Sequence, residues 1–349
     1  MYKSILRPIL FSFNPETAHK IAFKGLEILR HIPGARSLIR LRHIYNHPSL
    51  KRDIFGVSFK NPVGISAGID CDGCFYNDLG NFGPGFVEIG TLTNAPQSGN
   101  EKPRWMRLKG RKAFVNNFGH ANEGVRKAIS NIQNYPPRED LVVIANIGKN
   151  NETPAEKAVD DIDTAFTLIY DFSDIIVVNM LDTDMKYLAE IIDRITTIRR
   201  FNDNNNPILI KLPPDLSQDQ IDLAIHTALS YGIDGLVVSG STYNLDDTGC
   251  TMEHGELTGA PVFEHSLATL KYVYEKSQRL IPIIVSGGIS TPEQAQEMLD
   301  NGASLIEVHT ALSFEGPILI KKILKHLVAV DKQRHPEKYV KKKKQKKTK

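Results

Sequence analysis

The sequence predicts a (β/α)8 TIM barrel, an α/β fold, with a small N-terminal helical extension. Three observations predict it. Eight short apolar runs alternate with segments of helical period. Polar residues gather at the C-terminal ends of those runs, where a barrel keeps its chemistry. Residues 281–317 also spell out one repeat in full: an apolar run stops at Ser286-Gly287-Gly288, Thr291-Pro292 starts a helix, and Gly302 ends it. A second apolar run, 303–308, then leads into His309-Thr310. Strand, glycine turn, helix and strand make a unit with parallel strands. Paired glycines let the backbone approach a ligand, and bare N–H groups beside a helix N-terminus suit a phosphate. This stretch is therefore the expected anchor of a phosphate-bearing cofactor.

Taken in order, residues 1–45 read as two or three short helices. Ile5, Leu6, Ile9 and Leu10 mark the first, and Asn14-Pro15 caps and starts the next. That helix sets Ala18, Ile21, Ala22, Leu26 and Leu29 at helical spacing among charged residues. Such helices either pack on the body or lie as an amphipathic pair on a membrane, admitting a greasy ligand. Residues 53–60 read as a hairpin closing the barrel bottom. Strands are expected at 63–67, 87–92, 141–147, 175–180, 207–212, 235–239, 282–285 and 305–308. Helices are expected at 122–133, 154–170, 185–200, 217–231, 264–276, 291–301 and 317–328. The implied division is a helical segment 1–45, a barrel 46–330 and a basic disordered tail 331–349.

Composition narrows the function. Three cysteines in 349 residues form no disulfide framework, which points to a reducing compartment. No apolar run reaches the ~18 residues of a membrane span, and no signal-peptide pattern opens the chain. The net charge of +3 includes eight lysines in residues 338–349, so the rest of the chain carries −5. A mildly acidic body makes nucleic acid an unexpected partner. The tail is either a solvated end or weakly drawn to anionic lipid, at about 1 kcal/mol per lysine.

The polar residues at the expected strand ends are Asp70, Thr91, Asn146, Lys149, Asn179, Lys211, Ser239, Ser241, Ser286 and Thr310. Lys211 stands inside an apolar strand, PILIKLP. A buried lysine needs an anion or an electron-rich ring beside it, so it is either half of a structural ion pair or a functional cation facing a cofactor.

The segments NPVGISAGID, FVEIGTLTNAPQSGNEKPRWMRL, NNFGHANEGV, NIGKN, LIKLPPDLS, ELTGAPV, VSGGI and HTALSFEGP stand in an order and spacing that resemble the class 2 dihydroorotate dehydrogenases. The resemblance runs from the N-terminal helices to about residue 328. It implies a barrel holding FMN, with the flavin ring by Ala67, Gly68, Asp70, Cys71, Thr91, Asn146 and Asn179. It sets Lys211 near the flavin N1–O2 edge as a catalytic cation, has Ser239 and Gly259 line the site, and assigns the phosphate to Gly287, Gly288, His309 and Thr310. It further implies a small-molecule substrate and electrons leaving to a quinone that enters between the N-terminal helices, with Arg104 and Arg107 in the matching segment. The chain is then cytoplasmic, peripheral on the inner face of the membrane.

The substrate half departs from the family pattern. Cys71 stands where the family has a lysine, Gly240-Ser241 replace an Asn-Thr pair, and His309 stands for a tyrosine. Asn116 and Asn179 remain, and His120 replaces an apolar residue. After Asn179 the direct count places Asp182 at the catalytic base and Asp184 at a substrate asparagine, followed by a shortened lid. Asp182 is a base or a helix cap. The changes make the pocket three units more negative if all groups ionise. That leaves, beside dihydroorotate oxidation, an FMN paralogue with a non-anionic substrate, or an inactive flavin-binding protein. Cys71 and Cys74 form a C-x-x-C that is a redox pair, half a metal site or two plain thiols; with no second cysteine pair, no metal is expected.

Overall fold

The computed structural model describes residues 2–339 apart from Asp182 and Asp247, and apart from the side chain of Ser239. A helical turn at Tyr2–Leu6 leads into α1 (Arg7–Phe11), α2 (Pro15–His31) and α3 (Ala35–His43). The Asn14 side chain accepts from Thr17 N at 2.8 Å, so the cap read from Asn14-Pro15 forms. A two-stranded hairpin, β1 (Arg52–Ile54) and β2 (Val57–Phe59), turns at Phe55-Gly56, both with positive φ, as a two-residue hairpin loop requires.

Strands and helices then alternate. In chain order they are β3 (Val63–Ile65), α4 (Tyr76–Gly80), β4 (Phe86–Leu92), β5 (Trp105–Leu108), β6 (Ala113–Asn116), α5 (Val125–Asn134), β7 (Val142–Ile147) and α6 (Ala158–Ile169). They continue as β8 (Ile175–Asn179), α7 (Leu188–Arg200), β9 (Ile208–Lys211), α8 (Gln218–Ser230), β10 (Gly235–Thr242), β11 (Glu256–Gly259) and α9 (Phe263–Lys276). The last are β12 (Ile283–Gly287), α10 (Pro292–Asp300), β13 (Leu305–Val308), α11 (Thr310–Glu315) and α12 (Ile318–Arg334). Eight parallel strands, β3-β4-β7-β8-β9-β10-β12-β13, close on themselves through the β13–β3 pairing. All eight are the strands expected from the apolar runs.

The two faces of each strand build two cores, as a period of 2 demands. Val87, Val143, Ile176, Ile210, Val238 and Val285 face outward and pack on the helices. Phe86, Ile144, Val177, Leu209, Val237, Ile284 and Leu305 face inward and fill the lower barrel. Ile54, Phe55 and Val57 of the hairpin pack against this inner cluster and plug its base. One inward step further up, the same faces carry Glu88, Asn146, Asn179, Lys211, Ser286 and Glu307. The barrel interior therefore changes from apolar to polar toward the strand C-termini.

Several features differ from expectation. β10 runs three residues past its expected end, and its upper part pairs with β11 rather than with barrel neighbours. β11 pairs with β6 and β6 with β5, all antiparallel, making a three-stranded flap above the barrel. Helix α5 starts at Val125 rather than 122, because the Asn122 side chain accepts from Thr93 N and Gly124 N and closes a turn. Helix α12 continues to Arg334, since nothing interrupts it before His335-Pro336. Tyr339 then stacks on His47 at 5.6 Å, so residues 331–339 are not the expected tail, and 340–349 lie outside the described residues.

Candidate active site

A cavity of about 560 Å³ opens at the C-terminal ends of the barrel strands, a volume usual for small-molecule sites. Its wall brings together most of the residues singled out in the sequence. Ala67, Gly68, Cys71 and Thr91 line one side. Asn116, His120 and Asn179 line another, with Gly240 and Ser241 near them in the wall. Gly259, Gly287, Gly288, His309 and Thr310 form the far end, and Lys211 lies in the floor.

Three expected positions fall elsewhere. Asp70 is buried and accepts from Cys74 N at 2.9 Å and Phe75 N at 2.7 Å, so it folds the loop after β3 rather than facing the cavity. Asn146 lies beneath the wall and donates to Glu88. Asp184 is outside the cavity: its side chain is 48% exposed, accepts from Lys186 N and pairs with Lys186 Nζ at 3.1 Å. Counting from Asn179 misplaces it, because the connection after β8 turns into a 3-10 turn, Met185–Tyr187, and α7. Asp182 lies outside the described residues, as does the Ser239 side chain; the Ser239 backbone pairs with Ser286 in the barrel.

Sequence reasoning missed two carboxylates in the floor. Glu88 is fully buried and accepts from Ala67 N at 2.9 Å, Asn146 Nδ2 at 2.7 Å and Lys211 Nζ at 3.0 Å. Burial opposes both charges, but their attraction outweighs it: Lys211 is held above its usual value and Glu88 below. Lys211 is thus ion-paired, as one reading of it expects, and lies on the cavity wall as well. Glu307 is 2% exposed and also lines the cavity. Burial, then the Glu88 charge, pushes its carboxyl up to about 8. The signal for both was present: each interrupts an apolar barrel strand on its inward face, as Lys211 does.

Smaller contacts fix the rest of the wall. Asn179 donates to Thr91 Oγ1 at 3.1 Å and accepts from Leu181 N, which locks its amide over the floor. Ser66 and Ser286 hydroxyls meet at 3.0 Å across β3 and β12. Gly288 has φ +68°, and a Cβ there would lie 2.5 Å from Phe263 N, so only glycine brings this turn to the cavity. Burial pulls His309 and His19 down to about 4, which makes both imidazoles neutral at pH 7. Burial pushes Cys71 and Cys74 up to about 12, with Asp70 and Asp72 adding to it, so neither is a poised thiolate. No cluster of three or more metal-ligating side chains occurs among the described residues. Arg104 borders the cavity beside Glu16 of α2, while Arg107 donates to Phe11 O and Phe13 O next to α1.

A closed parallel barrel whose strand ends converge on one cavity, with a buried lysine in the floor, sets the site where enzymes of the (β/α)8 class keep theirs. The family model for dihydroorotate dehydrogenase matches residues 49–330. The chain belongs to the dihydroorotate dehydrogenase family and is an oxidoreductase. A relative from Christiangramia forsetii, named dihydroorotate dehydrogenase (quinone), is 37% identical over 93% of this chain and 97% of its own. A relative of the same name from Bordetella avium is 34% identical over 90% and 94%. Crystal structures of DHODH from Eimeria tenella superpose with TM-scores of 0.80, in complex with ferulenol, and 0.79, ligand-free. They are 25% and 26% identical to this chain and cover 93% and 92% of it, matching 95% and 96% of their own lengths.

Proposed function

We propose that this protein oxidises dihydroorotate to orotate with FMN as its redox group and passes the electrons to a quinone. The observation that carries the reading is that Lys211 and the Gly287-Gly288 turn lie on the wall of one cavity at the barrel mouth. The donor set fits a flavin nucleotide. The glycine turn and the Thr310 end of α11 suit a phosphate, and a buried ammonium suits the ring edge that gains negative charge. FMN, when bound, supplies the hydride acceptor.

The chain's own residues hold the reactants. Asn116 and the locked amide of Asn179 orient a planar polar substrate, and Cys71, His120, Gly240 and Ser241 complete its walls. By the family resemblance Asp182 takes the base position and accepts the substrate proton. An anionic product is compatible with this pocket because one of the negative charges counted against it is not there, and a further carboxyl in the floor is un-ionised. Asp184 lies outside, and Glu307, with its carboxyl at about 8, is neutral at pH 7.

The quinone and membrane parts of the reading rest on the N-terminal helices. Leu38 and Leu41 of α3 are 69% and 81% exposed, and Ile5, Ile9, Ile28 and Ile32 add to the same extension. An apolar surface of this extent, mixed with Arg36, Arg40 and Arg42, suits a peripheral contact on the inner face of the membrane. No described helix is long and apolar enough to cross it.

Anaerobic titration of the FMN-loaded protein with dihydroorotate should bleach the flavin absorption, and a short-chain quinone should restore it. A spectrum unchanged by excess dihydroorotate refutes the assignment. Vesicles with anionic headgroups should co-sediment the protein, and Leu38→Ser with Leu41→Ser should abolish that; equal sedimentation of both refutes the membrane contact.

A further inference from the structure

Glu307 is the group in the cavity floor that nothing above employs. It stands on the inward face of β13, one step above Leu305, and lines the cavity while 2% exposed. Neither carboxyl oxygen makes a hydrogen bond of normal geometry, although Ser66 and Glu88 lie beside it. Buried polar atoms without partners are rare in folded proteins, and two on one carboxyl at a cavity wall leave that group open to a ligand.

The surroundings decide its protonation. The titratable and charged groups that face this floor are Glu88 from β4, Lys211 from β9, Glu256 from β11 and His309 just beyond β13. The lone cation among them, Lys211, is taken by Glu88 at 3.0 Å. The Ser66 and Ser286 hydroxyls hydrogen-bond each other. A second carboxylate would sit against the first with no cation of its own, so the fold keeps it as the acid. An un-ionised carboxyl is both a donor and an acceptor, unlike a carboxylate.

We propose that Glu307 is a positioning residue for the redox ring: as the neutral acid it hydrogen-bonds the flavin ring carried beside Lys211, and on ionising it releases that ring. The inference rests on the FMN reading above. It deepens that reading by making cofactor retention depend on one proton held in the barrel floor.

The test is the FMN dissociation constant of the apoprotein, followed by flavin fluorescence between pH 7 and pH 9. With an ionisation at about 8 and binding confined to the acid form, wild-type affinity should weaken about tenfold across that range. Glu307→Gln, neutral at every pH and able to donate and accept, should bind with a flat profile. Glu307→Leu should bind about tenfold more weakly than Glu307→Gln already at pH 7, because it offers no hydrogen bond. The visible band of the bound flavin should shift with pH in the wild type and not in Glu307→Gln. A flat wild-type profile, or an unchanged pH dependence in Glu307→Gln, overturns the inference and leaves the FMN reading standing. No FMN binding by the wild type at any pH overturns the FMN reading, and the inference with it.

Discussion

Replacing Glu88 by Gln tests how charge is shared in the barrel floor. Glu88 is fully buried and accepts three hydrogen bonds, from Ala67 N, Asn146 Nδ2 and Lys211 Nζ. Glutamine keeps the shape. Its amide N–H₂ would face the Asn146 amide, but Asn146 Oδ1 is buried and unpartnered, so a flip of that amide restores the bond. What remains is loss of charge beside a buried ammonium. Breaking one side of a buried pair destabilises by about 3–5 kcal/mol. Here Glu307 can ionise in place of Glu88, since Lys211 is the cation nearest both. The single variant should therefore lose only about 2 kcal/mol, and Glu88→Gln with Glu307→Gln the full ~3–5 kcal/mol. Glu88→Gln with Lys211→Met should recover most of that loss, having no charge left to bury. Urea unfolding of the apoproteins at pH 7, followed by far-ultraviolet circular dichroism, measures all four. Equal stability of the single variant and the wild type would show that Glu88 is not the counter-charge of Lys211. Equal stability of the single variant and the Glu88/Glu307 double would show that Glu307 takes no part in the exchange.

Two further expectations follow from the same geometry. The Glu307 carboxyl has a folded value of about 8, above the ordinary carboxylate range, so the fold disfavours its ionised form. Stability is then greatest below the unfolded value and falls as pH rises toward about 8, at about 1.4 kcal/mol per pH unit. Glu307→Gln should accordingly match the wild type near pH 4 and exceed it increasingly up to pH 8; thermal melts showing a constant difference across that range refute this. Asp184→Ala should leave the Michaelis constant for dihydroorotate unchanged, because its side chain pairs with Lys186 at the surface; a large rise would restore it to the substrate wall.

The barrel was legible because its strands are buried on both faces. Such strands read as unbroken apolar runs, and eight of them, spaced by helical periods, admit few other closures. Lys211 was legible for the same reason inverted: a charge inside such a run stands out. Glu88 in FVEIG and Glu307 in LIEV carry the same signature, yet their acidic side chains only gain meaning once the pairing puts them beside Lys211. The flap of β5, β6 and β11 was not legible. Its strands are four residues each, and β11 joins β6 from 140 positions away. Asp184 shows the limit of counting along a chain: the turn that follows β8 decides which side chain faces inward, and only the fold fixes that.

The flap has a consequence for any shortened form of this protein. In the joined sheet every described strand has neighbours on both sides except β5, whose outer rim ends the array. Helix α2 packs over that rim, and Arg107 of β5 donates to the backbone of Phe11 and Phe13 at the α1–α2 connection. The leading helices therefore shield a strand that would otherwise offer unpaired amides to another molecule. Trimming them away to obtain a tidier barrel would bare that seam, and such a product should clump into β-rich aggregates rather than stay dispersed.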